Sequence, residues 1–449
     1  MGELLQESVE NTEKVMDKNK VDNIYKLLIF FTLTVLVLTA FITGSFSRVS
    51  YWYNLNLMTQ YFSLPLFLYT IMICIHLPYR SVLCFLNQPY VQRNGYYPKV
   101  TVIIPAYNEG KMVEKAICSC LNSNYPKSRL HIISVDDGSE DDTWHYIRRQ
   151  QKEHPDLIKG IRLPQNQGKR WALAEGFKRA SGKIVVTMDS DSVMERDALS
   201  NLVAPFIDKE IGAATAKVKV LNKNENLLTR MIGVRYIMAF EFYRASRSTF
   251  KTVFCCSGVL SAYRKEIIDK ILDQWLHQRF MGQVCTYGDD RSLTNFILRS
   301  GYYTVYQRNS IVYTLVPSTL PKLARMLVRW HKSFIRESIV FITFMFSNYR
   351  RNNRFLPIFD FTLSTVLIPF QFYIIIYSII HIFIDPLLIL RFLAIITIMG
   401  SVYMSFYVKF EKNTDFVFGL LYSFLHVFFL MWTVPYAVIT FKNNSWLTR

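Results

Sequence analysis

Apolar residues are concentrated in blocks near both ends of the chain. Residues 27–46 carry no charged side chain, and a helix of about twenty apolar residues is long enough to cross the hydrocarbon core of a bilayer. Further apolar runs cover residues 61–79, 357–384, 386–407 and 415–441. The pattern predicts a transmembrane hairpin over 27–79 and transmembrane segments over 357–441. It leaves open whether 415–441 folds back as a short hairpin or one of the segments lies in the interface.

The central part of the chain has a different pattern. Between residues 99 and 310, short β-rich runs such as KVTVIIPAYNE, HIISVDDGS, GKIVVTMDSDS and AATAKVKVL alternate with helical stretches. Apolar strands alternating with helices predict a mainly parallel, Rossmann-like α/β sheet that binds its ligands beyond the carboxyl ends of the strands. The basic stretch LPKLARMLVRWHKSFIRES then predicts amphipathic interface helices within 313–350.

Charge narrows the choice of partners. The chain is 51% hydrophobic with a formal net charge of +18, and its Lys and Arg residues flank the apolar runs. Arg80, Arg93 and Lys99 follow the first hairpin, so the positive-inside tendency places the central domain in the cytoplasm. A basic surface beside apolar segments suits an anionic leaflet or phosphorylated substrates better than nucleic acid. We expect a multi-pass plasma-membrane protein with membrane lipids, and no nucleic acid, as partners.

Carboxylates follow two of the predicted strands. Asp136 and Asp137 end one strand, where they can accept hydrogen bonds from a nucleobase or a ribose hydroxyl, although Asp-Asp-Gly-Ser is also good turn chemistry. Asp189 and Asp191 end another, and alternate residues of an extended segment point the same way. Both carboxylates can then face one hard cation, Mg²⁺ or Mn²⁺, with water and a diphosphate as the remaining ligands.

Further charged and aromatic residues along the chain can complete a site around these carboxylates. Lys169 follows a glycine and suits phosphate oxygens, although a basic helix start is an equal alternative. In GDDRSLTN, one aspartate can act as a general base, while Asp289 and Asp290 also suit helix capping. Arg329 can neutralise a leaving diphosphate, and Trp330 offers a face for a sugar ring, although an Arg-Trp pair on such a helix is often a membrane anchor.

Many motifs of the chain occur together in one known family. They are VIIPAYNE, VDDGS, NQGKR, DSD at 189–191, NLLTR, CCSG at 255–258, RFMG, GDDRSLTN, RW followed by KSFIRES, and the terminal SWLTR. With these motifs in this order, the sequence resembles the inverting, processive family-2 glycosyltransferases, in particular the hyaluronan synthases of streptococcal type. The absence of a Walker loop, of GxGxxG and of a Ser/His/Asp order argues against ATP hydrolysis and acyl transfer.

The resemblance implies a fold and a role for each motif. A GT-A domain (98–312) would lie between the polar segment 1–26 with its transmembrane hairpin and the channel segments, followed by a C-terminal gating segment (442–449). In it, Asp136 and Asp137 would hold uridine, Lys169 the phosphates, and Asp189 with Asp191 the nucleotide and the metal. Asp290 would be the general base, Arg329 would meet the diphosphate, and Trp330 would stack the acceptor sugar. Trp446 and Arg449 would belong to a loop that closes over the donor.

The implied reaction joins UDP-GlcNAc and UDP-GlcA into a growing hyaluronan chain that leaves through the membrane. Three residues depart from the family pattern, namely Met326, Val259 and Leu447, and they put the sugar contacts in question more than the reaction. A chitin-like GlcNAc polymer or a β-glucan is therefore an alternative product. A non-processive transferase acting on a lipid phosphate, or a non-catalytic transporter or scaffold, remains a further alternative class.

Overall fold

The computed structural model describes residues 23–24, 26–43, 57–93, 95–347, 349 and 354–442. Contacts divide the chain into two compact units, Met1–His76 with Leu363–Phe429 and Leu77–Thr362 with Leu430–Arg449. The predictions for residues 1–22 and for Trp446, Leu447 and Arg449 fall outside the described residues. The second unit contains the β-sheet and every other residue to which the sequence assigns a catalytic or binding role.

The second unit is built on an eight-stranded sheet with the order β3-β2-β1-β4-β7-β6-β10-β5. Its pairs β1–β2, β2–β3, β1–β4 and β6–β10 are parallel, whereas β7 is antiparallel to both of its neighbours and β5 is antiparallel to β10. The α/β prediction is confirmed, with a mixed sheet. The strands are β1 (Val100–Ala106), β2 (Leu130–Asp136), β3 (Ile158–Arg162), β4 (Ile184–Met188), β5 (Ser192–Met194), β6 (Ile211–Val220), β7 (Leu260–Arg264) and β10 (Tyr303–Thr314).

Helices cover the sheet, and a two-stranded hairpin of β8 (Arg279–Phe280) and β9 (Gln283–Val284) lies outside it. All seven residues of β1 are buried, which explains why the strand reads as a continuous apolar run. The helices of this part are α3 (Met112–Leu121), α4 (Thr143–Glu153), α5 (Lys169–Arg179), α6 (Ala198–Val203), α7 (Leu227–Met238), α8 (Ala245–Thr249), α9 (Lys265–Leu276), α10 (Asp289–Arg299) and α11 (Leu320–Met345).

One core cluster packs α5, α9 and α10 against the sheet. Trp275 of α9 is fully buried and meets Phe177 of α5 edge to face, with ring centroids 6.0 Å apart. Truncating a buried aromatic of this kind to alanine costs about 3 to 5 kcal/mol. This packing holds the amino ends of α5 and α10, the two helices that begin with Lys169 and Asp289.

The apolar helices fulfil the membrane expectation in part. Among the described residues, three helical segments are long and apolar enough to cross a bilayer, namely Leu64–Leu86 of α2 (Leu57–Leu86), α12 (Phe355–Ile384) and α13 (Leu388–Glu411). A fourth candidate is the pair Phe416–Leu430, which begins with α14 (Phe416–Leu425), and α15 (Thr433–Thr440), with a bend of 45° between them. The first predicted span appears as the shorter helix α1 (Lys26–Ile42). The chain therefore has the helices of a membrane protein.

Arg80, one of the basic residues that follow the first predicted hairpin, is not an exposed charge. Its side chain is fully buried and pairs with Asp360, which is itself fully buried and also accepts from Arg247 Nε at 2.9 Å. A charge so deep in protein is retained only when it is paired, so this residue anchors the end of α2 to the start of α12.

Candidate active site

The carboxyl ends of β1, β2 and β3 meet at one edge of the sheet. The register pairs Ala106 with Asp136 and Asp136 with Arg162, so the three strands end side by side. An open cleft of about 710 Å³ lies there and is lined by Tyr107, Ser139, Glu140, Arg162 and Asn166, among others. This is the place at which an α/β sheet of this kind receives a ligand.

Asp136 and Asp137 are buried beneath that cleft. Asp136 accepts a hydrogen bond from Ser139 N at 3.0 Å and pairs with Arg162 Nε at 3.3 Å. The two carboxylate oxygens of Asp137 accept from Gln167 N at 2.9 Å and Gly168 N at 2.8 Å. Burial raises the pKa of Asp137 although these two backbone bonds oppose the rise. Both aspartates therefore fix the loops that line the cleft. This agrees with the alternative that Asp-Asp-Gly-Ser is a structural turn.

Lys169 and Asp189 form a second corner of the site. The Lys169 ammonium pairs with Asp189 Oδ1, and both side chains are partly exposed. Burial disfavours the charge of Lys169, but Asp189, Asp289 and Asp290 outweigh it and raise its pKa. A Cβ at Gly258 would lie 3.1 Å from Lys169 Nζ and 3.5 Å from Asp189 Oδ1, so a glycine here lets the backbone approach the ion pair. Lys169 is also the first residue of α5, as the helix-start alternative expected, while its role toward phosphates stays a prediction.

The prediction of an extended Asp189–Asp191 segment is wrong. Ser192 N donates to Asp189 O at 3.2 Å, which closes a turn between β4 and β5. Asp191 is buried and accepts from Thr314 Oγ1 at 3.3 Å, whereas Asp189 is a quarter exposed. The turn forms because β5 must reverse direction after β4 to pair antiparallel with β10.

The donor set of this corner suits a hard divalent cation. Asp189 has a partly exposed carboxylate and Asp191 a buried one, and carboxylate oxygens are the ligands that Mg²⁺ and Mn²⁺ prefer. Within the described part of the chain, no three His, Cys, Asp or Glu side chains gather as a complete metal cage. An ion held here would therefore take its other ligands from water and from a bound phosphate group.

The two aspartates of GDDRSLTN have different environments. Asp289 is 7% exposed and accepts from Arg170 Nε at 2.7 Å, while Arg170 also donates to Trp275 O at 3.1 Å and stacks on the Trp275 ring. Asp289 is thus a structural residue that ties the start of α10 to α5 and α9. Neither aspartate is the N-cap, because Gly288 occupies that position and both lie in the first turn.

Asp290 is half-buried, and its carboxylate is held at both oxygens. Arg291 N donates to Oδ1 at 2.8 Å, and the Cys255 thiol donates to Oδ2 at 3.2 Å. The main chain of the same residue is fixed as well, since Thr294 Oγ1 donates to Asp290 O at 2.7 Å. A partly exposed, firmly oriented carboxylate has the properties of a general base.

Gly288 brings the turn before α10 against helix α11. Its φ of +73° is one that L residues with a side chain rarely adopt, and an added Cβ would collide with Ser333 Oγ. Next to it, Arg336 of α11 donates to Tyr287 O at 2.5 Å and stacks on the Tyr287 ring. Tyr287 OH in turn donates to Phe441 O at 2.9 Å, just after α15. The aspartate-bearing turn is therefore clamped between two helices.

Arg329 and Trp330 lie half-buried on α11, close to that clamp. Ser333 follows them by four and three residues, a spacing at which helical side chains are neighbours. The Arg235 guanidinium lies over the Trp330 ring at 5.7 Å, and the Tyr236 ring lies 6.2 Å away. Trp330 therefore packs in part against Arg235 and Tyr236 of the same domain. Met326 is half-buried on the same helix, one turn before Trp330.

A loop of five residues, 255–259, connects the two corners of the site. At one end the Cys255 thiol reaches Asp290, and at the other Val259 O accepts from Asp189 N at 3.3 Å. Between them Cys256 N donates to Thr294 Oγ1 at 3.0 Å and Ser257 N donates to Thr215 Oγ1 at 3.1 Å. We name this segment the bridging loop. It places Lys169 and Asp189 on one side and Asp290 on the other.

Sequence reasoning missed the partners that orient the site. The roles of Arg170 and Cys255 were not predicted, although both lie in motifs that the sequence singles out, NQGKR and CCSG. Ser333 and Arg336 lie in the stretch KSFIRES and were likewise assigned no contact. The only sign of these four residues in the sequence is that they lie within or beside a predicted site motif. That position does not predict which side chain each of them contacts in the fold.

Comparison with known proteins shows the family and the fold of the chain. Residues 101–272 match the family model for glycosyl transferase family 2. The chain is 33% identical over 393 residues to a hyaluronan synthase of Streptococcus pyogenes, covering 85% of this chain and 90% of that protein. It is 30% identical over 354 residues to an N-acetylglucosaminyltransferase of a Rhizobium strain, covering 79% and 77% of the two chains. A mannosyltransferase from Pyrobaculum calidifontis, solved with GDP-Man and Mn²⁺, shares the fold at 19% identity, with a TM-score of 0.54 over 84% of this chain and 99% of that one.

The fold and the site define a glycosyltransferase with a GT-A domain and apolar helices of transmembrane length. The chain belongs to the family-2 glycosyltransferases, and within that family it is a homologue of the streptococcal hyaluronan synthases. The family and the fold expected from the sequence motifs are confirmed.

Proposed function

We propose that this protein polymerises sugar units from UDP-GlcNAc and UDP-GlcA into hyaluronan and moves the growing chain across the membrane. The observation that carries the proposal is the bridging loop, which joins the Lys169–Asp189 ion pair to the oriented carboxylate of Asp290. The first corner suits the diphosphate of a donor, and the second contains a carboxylate that can accept a proton. A glycosyl transfer from a nucleotide sugar needs both. In this proposal the central domain is cytoplasmic, and segments 27–79 and 357–441 form the conduit.

Donor binding follows from the cleft and the cationic corner. The uridine would enter the 710 Å³ cleft, whose walls Asp136 and Asp137 hold in place. Lys169 would meet the phosphates, because its raised pKa keeps it charged at any physiological pH. Trp446 and Arg449 would close over the donor.

The transfer itself would use Asp290 as the base. Its carboxylate would take the proton of an acceptor hydroxyl while that oxygen attacks the anomeric carbon of the donor. The new carbon–oxygen bond would form as the bond to the diphosphate breaks, so UDP would leave with the electron pair and the anomeric configuration would invert. Arg329 would neutralise charge on the leaving group, and Trp330 would stack the acceptor sugar.

Asp189 and Asp191 would hold a divalent ion, Mg²⁺ or Mn²⁺, beside the diphosphate. Such an ion supplies charge neutralisation to the leaving group. Chelation with EDTA should abolish UDP release, and added Mg²⁺ or Mn²⁺ should restore it. Full turnover in the chelated, dialysed enzyme would contradict this part of the proposal.

Replacement of Asp290 tests the base. Asp290→Asn keeps the size and one acceptor oxygen, but the amide has almost no basicity. We expect UDP release to fall at least about a hundredfold while UDP-sugar binding changes less than about threefold, because only proton transfer is lost. Asp141→Asn, on the solvent side of the Gly110 turn, is the control and should retain turnover. Wild-type turnover in the Asp290 variant would disprove the assignment.

A second product, a polymer or oligomer of GlcNAc alone, is supported by the similarity to the rhizobial N-acetylglucosaminyltransferase. Donor depletion separates the two products. Purified enzyme given UDP-GlcNAc alone should make no polymer if the product is hyaluronan, and the polymer made with both donors should be degraded by a hyaluronan-specific lyase. Polymer from UDP-GlcNAc alone, with no effect of UDP-GlcA, would instead support the second product.

A further inference from the structure

The Cys255 thiol makes the only side-chain hydrogen bond to the Asp290 carboxylate in the part of the chain that the structure describes. Its Sγ donates to Oδ2 at 3.2 Å, while Oδ1 accepts from the backbone of Arg291 at 2.8 Å. The backbone bond limits where the carboxylate group can lie, and the thiol selects the direction in which Oδ2 points. Without the thiol, only the bond from Arg291 N would restrain rotation about the last bond of the side chain, whose torsion is otherwise broad.

We infer that Cys255 is a positioning residue for the general base, holding the Asp290 carboxylate in the orientation that receives the acceptor proton. The inference rests on the proposed function of Asp290. A thiol is a weak donor, so it orients the carboxylate without withdrawing much of its charge. Each carboxylate oxygen has two lone-pair sites, which leaves one on Oδ2 for the acceptor hydroxyl.

The surroundings hold Cys255 in the donor role. Its own carbonyl accepts from Arg244 Nε at 3.4 Å, and the next residue is fixed by the bond from Cys256 N to Thr294 Oγ1. Burial raises the pKa of the Cys255 thiol to about 12, and the charge of Asp290 adds to the rise. The thiol therefore keeps its proton throughout the working range of the enzyme. The titratable and charged groups that face this pair are Lys169, Arg244, Cys256, Tyr263 and Arg291.

Substitution at Cys255 separates positioning from simple packing. Cys255→Ala removes the donor, and we expect kcat to fall about tenfold while the donor KM stays within about twofold, because the loss is one hydrogen bond to a charged group. Cys255→Ser keeps a donor of similar size and should retain most of kcat. A hydroxyl is the stronger donor and favours the charged carboxylate, so the acid limb of the kcat–pH profile should move to lower pH in the serine variant.

The control is Cys118→Ala. Cys118 is a partly exposed thiol on α3 that contacts Gln150 Oε1 at 3.6 Å and takes no part in the site. Its kcat and its pH profile should equal those of the wild type. Melting temperatures of all variants in detergent show whether each one is folded, and if the alanine variant is not, the pH profile of the serine variant carries the test.

The kinetics of the Asp290 and Cys255 variants distinguish an error in the positioning role from an error in the proposed function. If Asp290→Asn turns over normally, the base assignment itself is wrong, whatever Cys255 does. If Asp290→Asn is inactive but both Cys255 variants match the wild type in kcat and pH profile, the positioning role alone is overturned. Equal losses of kcat in the serine and alanine variants, with an unshifted acid limb and lower melting temperatures, would also overturn it and leave a packing role.

Discussion

Gly288 gives the most direct test of how the site is held together. In Gly288→Ala, two costs add. A side chain at φ +73° costs about 1 to 2 kcal/mol, and the new methyl group would collide with Ser333 Oγ and lie 2.8 Å from Ser333 Cβ. Overpacking of that kind costs about 1 to 3 kcal/mol more, so the total is about 2 to 5 kcal/mol. The turn that carries Asp290 would also move away from α11.

Gly282→Ala is the matched control. Gly282 has φ +82°, and no atom lies within 4 Å of the place that its methyl group would occupy, so this variant has the backbone cost without the clash. We expect Gly288→Ala to lower the melting temperature of the detergent-solubilised protein more than Gly282→Ala, and to lower UDP release with it. Adding Ser333→Gly to Gly288→Ala should recover part of the difference between the two single variants, because Arg336 Nη2 still lies 3.0 Å from the new methyl group. Ser333→Ala also leaves the 2.8 Å contact and should recover less.

If the melting temperatures of Gly288→Ala and Gly282→Ala fall by the same amount, the clash with Ser333 contributes nothing to the loss of stability. If Ser333→Gly fails to rescue UDP release, the position of Asp290 does not depend on α11.

Three further predictions concern charged and titratable residues. Arg170→Met should destabilise the protein by about 3 to 5 kcal/mol, because it leaves the buried carboxylate of Asp289 unpaired, and adding Asp289→Asn should recover part of the loss in chemical denaturation. Lys169→Met should raise the donor KM at least about tenfold in a UDP-release assay, since a cation facing the phosphates is lost. Burial lowers the pKa of His331 to about 4, so stability should fall as the pH drops from about 6.5 toward 4, where the unfolded chain gains a proton that the native one does not. His331→Gln should show a smaller fall in melting temperature between pH 7 and pH 5, and equal falls would contradict the assignment.

Much of the fold was predictable because its signals are local. The runs KVTVIIPAYNE, HIISVDDGS and GKIVVTMDSDS became β1, β2 and β4, since a strand buried on both faces must be apolar throughout. The reversed direction of β7 was not predictable in the same way. It depends on pairing between distant parts of the chain, and a short apolar run has no mark of direction.

The site was predictable at the level of residue types and less so at the level of contacts. Lys169 and Asp189, which the sequence placed at one site, do form an ion pair, while their roles toward phosphate and metal stay predictions. Asp191 lies in a turn rather than on an extended segment. The Asp289 carboxylate is paired with Arg170, which is 119 residues away in the sequence, so a distant partner decides that Asp290 and not Asp289 stays accessible. Arg80 shows the same limit, since a charge beside an apolar run can be interfacial or paired, and only Asp360 decides between them.

The bridging loop has a consequence for protein engineering. Its backbone is fixed by hydrogen bonds to Thr215, Thr294 and Asp189, so its length sets the separation between the Lys169–Asp189 ion pair and the Asp290 carboxylate. Inserting or deleting one residue there would change that separation for every donor sugar alike. Under the proposed function, a designer who wants a different polymer should therefore keep the loop at its natural length and vary the residues that depart from the family pattern, beginning with Met326.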